Sequence, residues 1–250
     1  MTITNAYLTH NRPYTKRSKT TAIAIHWVAN PGSSAMANRN YFQNTDVEVS
    51  ANYVIGLEGE VICCIPDAEV AWCTNQANAY TVSIENCHPD WTGEFRAATY
   101  RSLVELTAQL CQKYQLHPET GGVIRHYDVT GKDCPKWFVP ENHGGTDTKD
   151  GAHWKKFLKD VANQMRQSKK ESQMNPSKNL PKPYLVKVTA DVLNIRKGAG
   201  TQYPVVGTIQ DRGVYTIIDA CNNWGFLKSK AGWICLDLSL IHISEPTRPY

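Results

Sequence analysis

Between Gln167 and Pro183 the chain is rich in Ser, Lys, Asn and Pro and almost free of large apolar residues. Such a stretch cannot bury enough surface to offset the entropy of ordering it, so one hydrophobic core cannot run the length of the chain. The sequence therefore divides into a segment 1–166, a linker 167–183 and a segment 184–238. Most of the excess positive charge collects at the linker. Residues 1–165 carry 15 basic and 17 acidic side chains, whereas Arg166, Lys169, Lys170, Lys178 and Lys182 face only Glu171. A basic linker without a basic face or a recognisable motif is a solvated connector, which argues against a nucleic-acid partner.

The first segment mixes two periodicities. Ala22–Ile25 is a short apolar run, Asn52–Ile55, Val61–Ile65, Thr81–Glu85 and Val123–His126 read as further strands, and Gly56–Glu60 joins two of these as a hairpin. Leu103, Leu106, Thr107, Leu110, Cys111 and Tyr114 repeat at helical spacing, as do Trp154, Phe157, Leu158, Val161 and Met165. Strands interleaved with amphipathic helices predict an α/β domain, a central mixed sheet flanked by helices. Segment 184–238 instead shows short alternating runs separated by turn residues, the pattern of a small all-β barrel. The stretch 239–250 continues no β pattern and reads as a non-native tail.

No apolar run reaches the ~20 residues that span a bilayer, so membrane insertion is not expected. The opening residues Met1–Asn5 lack the charged start and apolar core of a secretory signal. The expectation is synthesis in a cytoplasm without a signal peptide. Eight cysteines in a chain of this length, without such a signal, predict reduced and mostly buried thiols rather than a disulfide framework.

His26 and His126 each close an expected strand, and Cys134 follows His126 across a Gly- and Pro-containing loop. Catalytic zinc sites use three protein ligands and leave one position open. With eight histidines and eight cysteines in the chain, however, this spacing is equally compatible with structural histidines and an inert thiol.

Four segments carry more information together: Ile25–Gly32, Ser50–Gly56, Ser83–Pro89 and Ile124–Pro135. In this order they resemble the type 2 N-acetylmuramoyl-L-alanine amidase family, which includes phage endolysins and is related to peptidoglycan-recognition proteins. The likeness spans roughly residues 20–165. It implies that His26, His126 and Cys134 are zinc ligands, that Glu85 is the general base, and that Lys132 stabilises the developing oxyanion. It further implies bacterial peptidoglycan as substrate, cleavage between N-acetylmuramic acid and L-alanine, and action on the wall after release from the host cytoplasm.

The chain also departs from the family pattern. Other branches place a tyrosine near Ala51, so more of the acid–base work falls to Glu85. Asn52 and Cys73 stand where histidine is commoner. His88 could line the groove, whereas His117, His143 and His153 read as solvated. Leu193–Gly207 and Gly232–Ile234 resemble a bacterial SH3 (SH3b) domain, which implies wall binding. Tyr203, Tyr215, Trp224 and Trp233 are expected in its core. Two rival readings differ in chemistry: a Cys–His wall peptidase with Cys134 as nucleophile and His126 as base, and a peptidoglycan-binding protein without catalysis.

Overall fold

The computed structural model describes residues 1–174, 182–221 and 223–242. The chain falls into two units, Met1–Arg166 and Gln167–Tyr250.

In the first unit six strands form one mixed sheet: β1 (Ile3–Asn5), β2 (Ala22–Ile25), β3 (Tyr53–Ile55), β4 (Val61–Cys63), β5 (Thr81–Asn86) and β6 (Val123–Arg125). Their order is β1-β4-β3-β5-β2-β6, and only the β3–β4 pair, the expected hairpin, is antiparallel. Strand β2 lies between β5 and β6, with Ile25 paired to both Ile84 and Arg125. Four helices complete the unit: α1 (Ala35–Asn44), α2 (Ala97–Tyr114), α3 (His126–Thr130) and α4 (Ala152–Met174).

Successive strand side chains point to opposite faces of a sheet. Tyr53 and Ile55 accordingly join one apolar cluster with Leu103, Leu106 and Leu110 of α2 and Phe157 and Val161 of α4. Val54 and Ile62 join a second cluster with Leu8 and with Ala35 and Phe42 of α1. Because both faces are covered, β2 is buried at all four positions. This double burial explains why its sequence is continuously apolar rather than alternating.

Several local expectations are corrected. The helix expected to finish near Met165 continues to Met174, so the first half of the stretch read as a linker is helical backbone. Lys, Gln, Glu and Ser are compatible with helix without supplying an apolar stripe, which is why no periodicity marked the extension. Residues 175–181 lie outside the described residues. His126 opens α3 rather than ending a strand, so the Cys134 loop begins as a helical turn. Ser239–His242, read as part of a tail without β pattern, is strand β13 and pairs antiparallel with Leu185–Val188. Residues 243–250 lie outside the described residues.

The second unit is all β. Its strands β7 (Tyr184–Val188), β8 (Leu193–Arg196), β9 (Val205–Ile209), β10 (Val214–Cys221), β11 (Trp224–Leu227), β12 (Trp233–Cys235) and β13 form one sheet in the order β13-β7-β10-β11-β12-β8-β9. Its core is aliphatic: Val186, Val188, Leu193, Ile195, Ile209, Ile217, Leu227, Ile234 and Leu236 surround Tyr184. The aromatic residues expected there are displaced from it. Tyr203 is 43% exposed, Trp224 and Trp233 are half-buried, and Tyr215 packs on the cluster's margin with its hydroxyl donating to Asp211. The buried Gly225 and Ile234 occupy the inward positions beside Trp224 and Trp233, which turns those indoles to the other face.

Candidate metal centre and its cleft

Three adjacent parallel strands build the site. His26 follows the last residue of β2, Glu85 lies near the end of β5, and His126 follows the last residue of β6. Parallel neighbours present their carboxyl ends on the same side, about 4.8 Å apart, so the three side chains form a row. The fourth participant arrives by a tight return. Helix α3 is started by Asp128, whose carboxylate accepts from the Arg125 backbone N–H at 2.8 Å and from its guanidinium. It is stopped by Gly131 at φ 76°, a conformation that favours glycine. Beyond the turn, the Tyr127 N–H donates to the Cys134 carbonyl at 2.8 Å and folds the thiol back toward His26.

The donor atoms of His26, His126 and Cys134 lie within 4.8 Å of one another, and all three residues are buried. Cys134 Sγ is 3.7 Å from His26 Nδ1. A tetrahedral zinc with Zn–S about 2.3 Å and Zn–N about 2.0–2.1 Å would hold such a pair about 3.6 Å apart. The remaining imidazole nitrogens are engaged. His26 Nε2 meets Thr74 Oγ1 at 3.0 Å, which in turn meets Ser83 Oγ at 2.9 Å, and His126 Nε2 meets Asn75 Oδ1 at 2.8 Å. Hydrogen bonds of this kind fix which nitrogen keeps its lone pair for an ion.

Electrostatics agree with that role. Burial, together with His126 and Lys132, drives the His26 pKa well down, and burial with Lys132 takes His126 to about 4. Both rings are therefore neutral near pH 7, with lone pairs available to an ion. Burial and the nearby Glu85 push the Cys134 thiol up, so without an ion it is a poor nucleophile. The residues present fit a zinc ion by donor type, number and spacing.

Glu85 stands beside the row. Burial raises its carboxyl to about 8, partly offset by the Cys73 thiol, which donates to Oε1 at 3.4 Å. Its other oxygen, Oε2, is sealed from solvent and has no hydrogen-bond partner. A cleft of about 550 Å³ opens over these groups, lined by Trp27, Trp72, Cys73, Asn75, Glu85 and His126 among others, with Cys134 in its wall. Lys132 is exposed and also lines it. The structure thus brings together all five expected site residues.

Other expectations fare differently. Asn52 is fully buried and does scaffold work: its Oδ1 accepts from the Ser83 N–H, and its Nδ2 donates to the carbonyls of Pro66 and Glu69. It does not line the cleft. His88 is buried against Trp27, ring centroids 4.5 Å apart, with Nδ1 on the Asp90 carbonyl. His153, expected to be solvated, stacks on Trp137 at 4.1 Å. All eight cysteines are unpaired thiols. The sequence reading missed Thr74 and Asn75. Asn75 opens a single 3-10 turn, Asn75–Ala77, with Thr74 just before it, and only their long-range partners His26 and His126 mark them.

Residues 16–137 match the family model described as N-acetylmuramoyl-L-alanine amidase. A probable N-acetylmuramoyl-L-alanine amidase of Bacillus licheniformis is 34% identical over 146 residues, which cover 52% of this chain and 40% of that protein. The N-acetylmuramoyl-L-alanine amidase BlyA of Bacillus subtilis (strain 168) is 30% identical over 182 residues, covering 64% of this chain and 49% of BlyA. The chain therefore spans less than half the length of either relative. Among solved structures, PlyL aligns with a TM-score of 0.54 at 22% identity, over 64% of this chain and 97% of that one. The PlyG catalytic domain aligns with a TM-score of 0.54 at 23% identity, over 66% and 96%. At such identity the likeness establishes a shared fold.

Proposed function

We propose that the first unit is a zinc-dependent peptidoglycan amidase that hydrolyses the bond between N-acetylmuramic acid and L-alanine. The observation that carries this reading is the row of His26, His126 and Cys134 with an unpartnered Glu85 oxygen beside it, in a segment similar to N-acetylmuramoyl-L-alanine amidases. Zinc held by those three residues would polarise the scissile carbonyl and lower the pKa of water to about 7. The Glu85 carboxylate accepts the proton of the attacking water as its oxygen bonds to the lactyl carbonyl carbon. The same carboxyl then returns that proton to the L-alanine nitrogen as the C–N bond breaks. A carboxyl with its pKa raised by burial suits both halves of that exchange. Lys132, at the rim, directs its ammonium toward the oxyanion. Thr74 and Asn75 hold the imidazoles still.

The second unit we read as an SH3-type wall-binding module, which raises the enzyme's effective concentration on an insoluble substrate. The plan as a whole suits a phage or prophage endolysin. The Cys–His peptidase reading is disfavoured by the raised Cys134 thiol and by imidazoles already held through Thr74 and Asn75.

The bond cut is the direct test. Digested peptidoglycan should gain free N-terminal L-alanine and no new reducing sugar ends, read by end-group labelling and mass spectrometry. A glycosidase would give the reverse, and an endopeptidase would free amino groups elsewhere in the stem. Any main product other than L-alanine termini overturns the assignment.

The Thr74 relay has its own test. Thr74→Val keeps the shape but leaves the buried His26 Nε2–H without its acceptor. Zinc affinity should fall about 10–100-fold, the usual cost of removing an outer hydrogen-bond partner. Competition against a chromophoric chelator measures this, and an unchanged affinity would show that Thr74 does not orient the ring.

A further inference from the structure

The hydrolysis proposed above uses Glu85 but assigns nothing to Cys73, its nearest polar neighbour. The donor atoms of His26, Cys73 and Glu85 also lie within 4.8 Å of one another, a second potential ligand set that shares one member with the first. We propose that Cys73 and Glu85 form a second cation site in the same cleft. It takes a second thiophilic divalent ion, zinc or cadmium, and thereby occupies the catalytic base.

Four observations carry the assignment. Cys73 Sγ and Glu85 Oε1 are 3.4 Å apart, close enough for one ion to touch both. Glu85 Oε2 is sealed without a partner, and among the described residues no Lys or Arg forms an ion pair with this carboxyl. A buried carboxylate without a counter-charge is costly, and a cation relieves that cost. Cys73 is also held in place: its own N–H and that of Thr74 both donate to Asn78 Oδ1, at 3.0 and 2.6 Å. Finally, thiolate and carboxylate oxygen are both ordinary zinc donors.

The sharing of His26 sets the order of filling. Its Nε2 is held by Thr74 and its Nδ1 faces Cys134, so an ion in the first set occupies the common corner. The second ion then has two protein donors, Cys73 and Glu85, and completes its shell with solvent in the cleft. It binds more weakly, both for want of donors and because two dications repel at close range. Its arrival forms an S–metal and an O–metal bond and releases to solvent the Cys73 thiol proton and the proton that the raised Glu85 carboxyl holds near pH 7.

The site shares Glu85 with the proposed hydrolysis, but its ions are counted without substrate, so the two readings fail separately. The test uses the full chain carrying Cys221→Ser, which removes an exposed thiol. Equilibrium dialysis against cadmium, with thiolate-to-cadmium absorbance followed in parallel, should give two ions per chain, the second adding absorbance. Cys73→Ser should bind one ion and lack that second increment. Glu85→Gln should likewise lose the weaker ion and keep the tighter one. Excess zinc should slow the parent at least tenfold, while the rate of Cys73→Ser is the same at one equivalent and in excess. One ion per chain in the parent, two in Cys73→Ser, or equal inhibition of both proteins overturns the proposal.

Discussion

Cys134→Ser should leave a folded chain that retains little zinc after dialysis and has lost nearly all hydrolytic activity. The two histidines remain, but a serine hydroxyl is a far poorer ligand than a thiolate, and the ion is left with two good donors. The loss should exceed the ~10–100-fold expected for Thr74→Val, because an ion-binding atom rather than its support is removed. The fold should survive, since Cys134 sits at the margin of a core supplied by α2, α4 and the strands. Metal analysis with circular dichroism separates loss of the ion from loss of the fold. Full zinc occupancy in a folded Cys134→Ser protein would remove the thiol from the site.

Glu85→Gln should behave in the opposite way, keeping the tight zinc while turnover falls ~10²–10⁴-fold. The amide is nearly isosteric with the carboxyl and can still accept from the Cys73 thiol, so the scaffold has no reason to move. It cannot take a proton from water. The substitution also removes a buried ionisable group whose pKa burial raises to about 8. The charged form of Glu85 is therefore disfavoured in the fold, and replacing it should stabilise the fold slightly at high pH, where the charge costs most. Steady-state kinetics on purified wall fragments, alongside zinc content, measures the effect. A near-normal rate would place the base elsewhere.

The parts of this architecture legible in the sequence were those with a strong local signal. Ala22–Ile25 stands out because a strand covered on both faces is apolar throughout, and Thr81–Glu85 because Val82 and Ile84 alternate with polar residues. Helix α2 stood out because one of its faces meets the sheet. Helix α1 did not, since only Ala35, Asn38 and Phe42 of its ten residues are buried and the middle one of these is polar. Strand β1 is three residues long with none fully buried, so its parallel pairing with β4 left no pattern to read.

The site divided in the same way. His26, Glu85, His126 and Cys134 lie in segments whose order resembles a family. Thr74, Asn75 and the Cys73–Glu85 contact exist only through pairing between distant loops. A sequence without its fold carries no local mark of such contacts.

The position of β2 between β5 and β6 bears on how the proposed zinc would be acquired. Residues 22–25 are made early, yet their two strand neighbours end at Asn86 and Arg125, and the thiol comes later still. His126 and Cys134 come from one local return, but His26 joins them only when β2 pairs with β6. A molecule in which that pairing has not formed therefore brings together at most two of the three donors. Uptake of the proposed zinc would then report on completed pairing of the central strands. The linkage also runs in reverse: free zinc at 100 times its dissociation constant adds about 2.7 kcal/mol to global stability rather than stiffening one loop. Scarcity of the ion would then be felt as lower abundance of folded protein as well as slower catalysis.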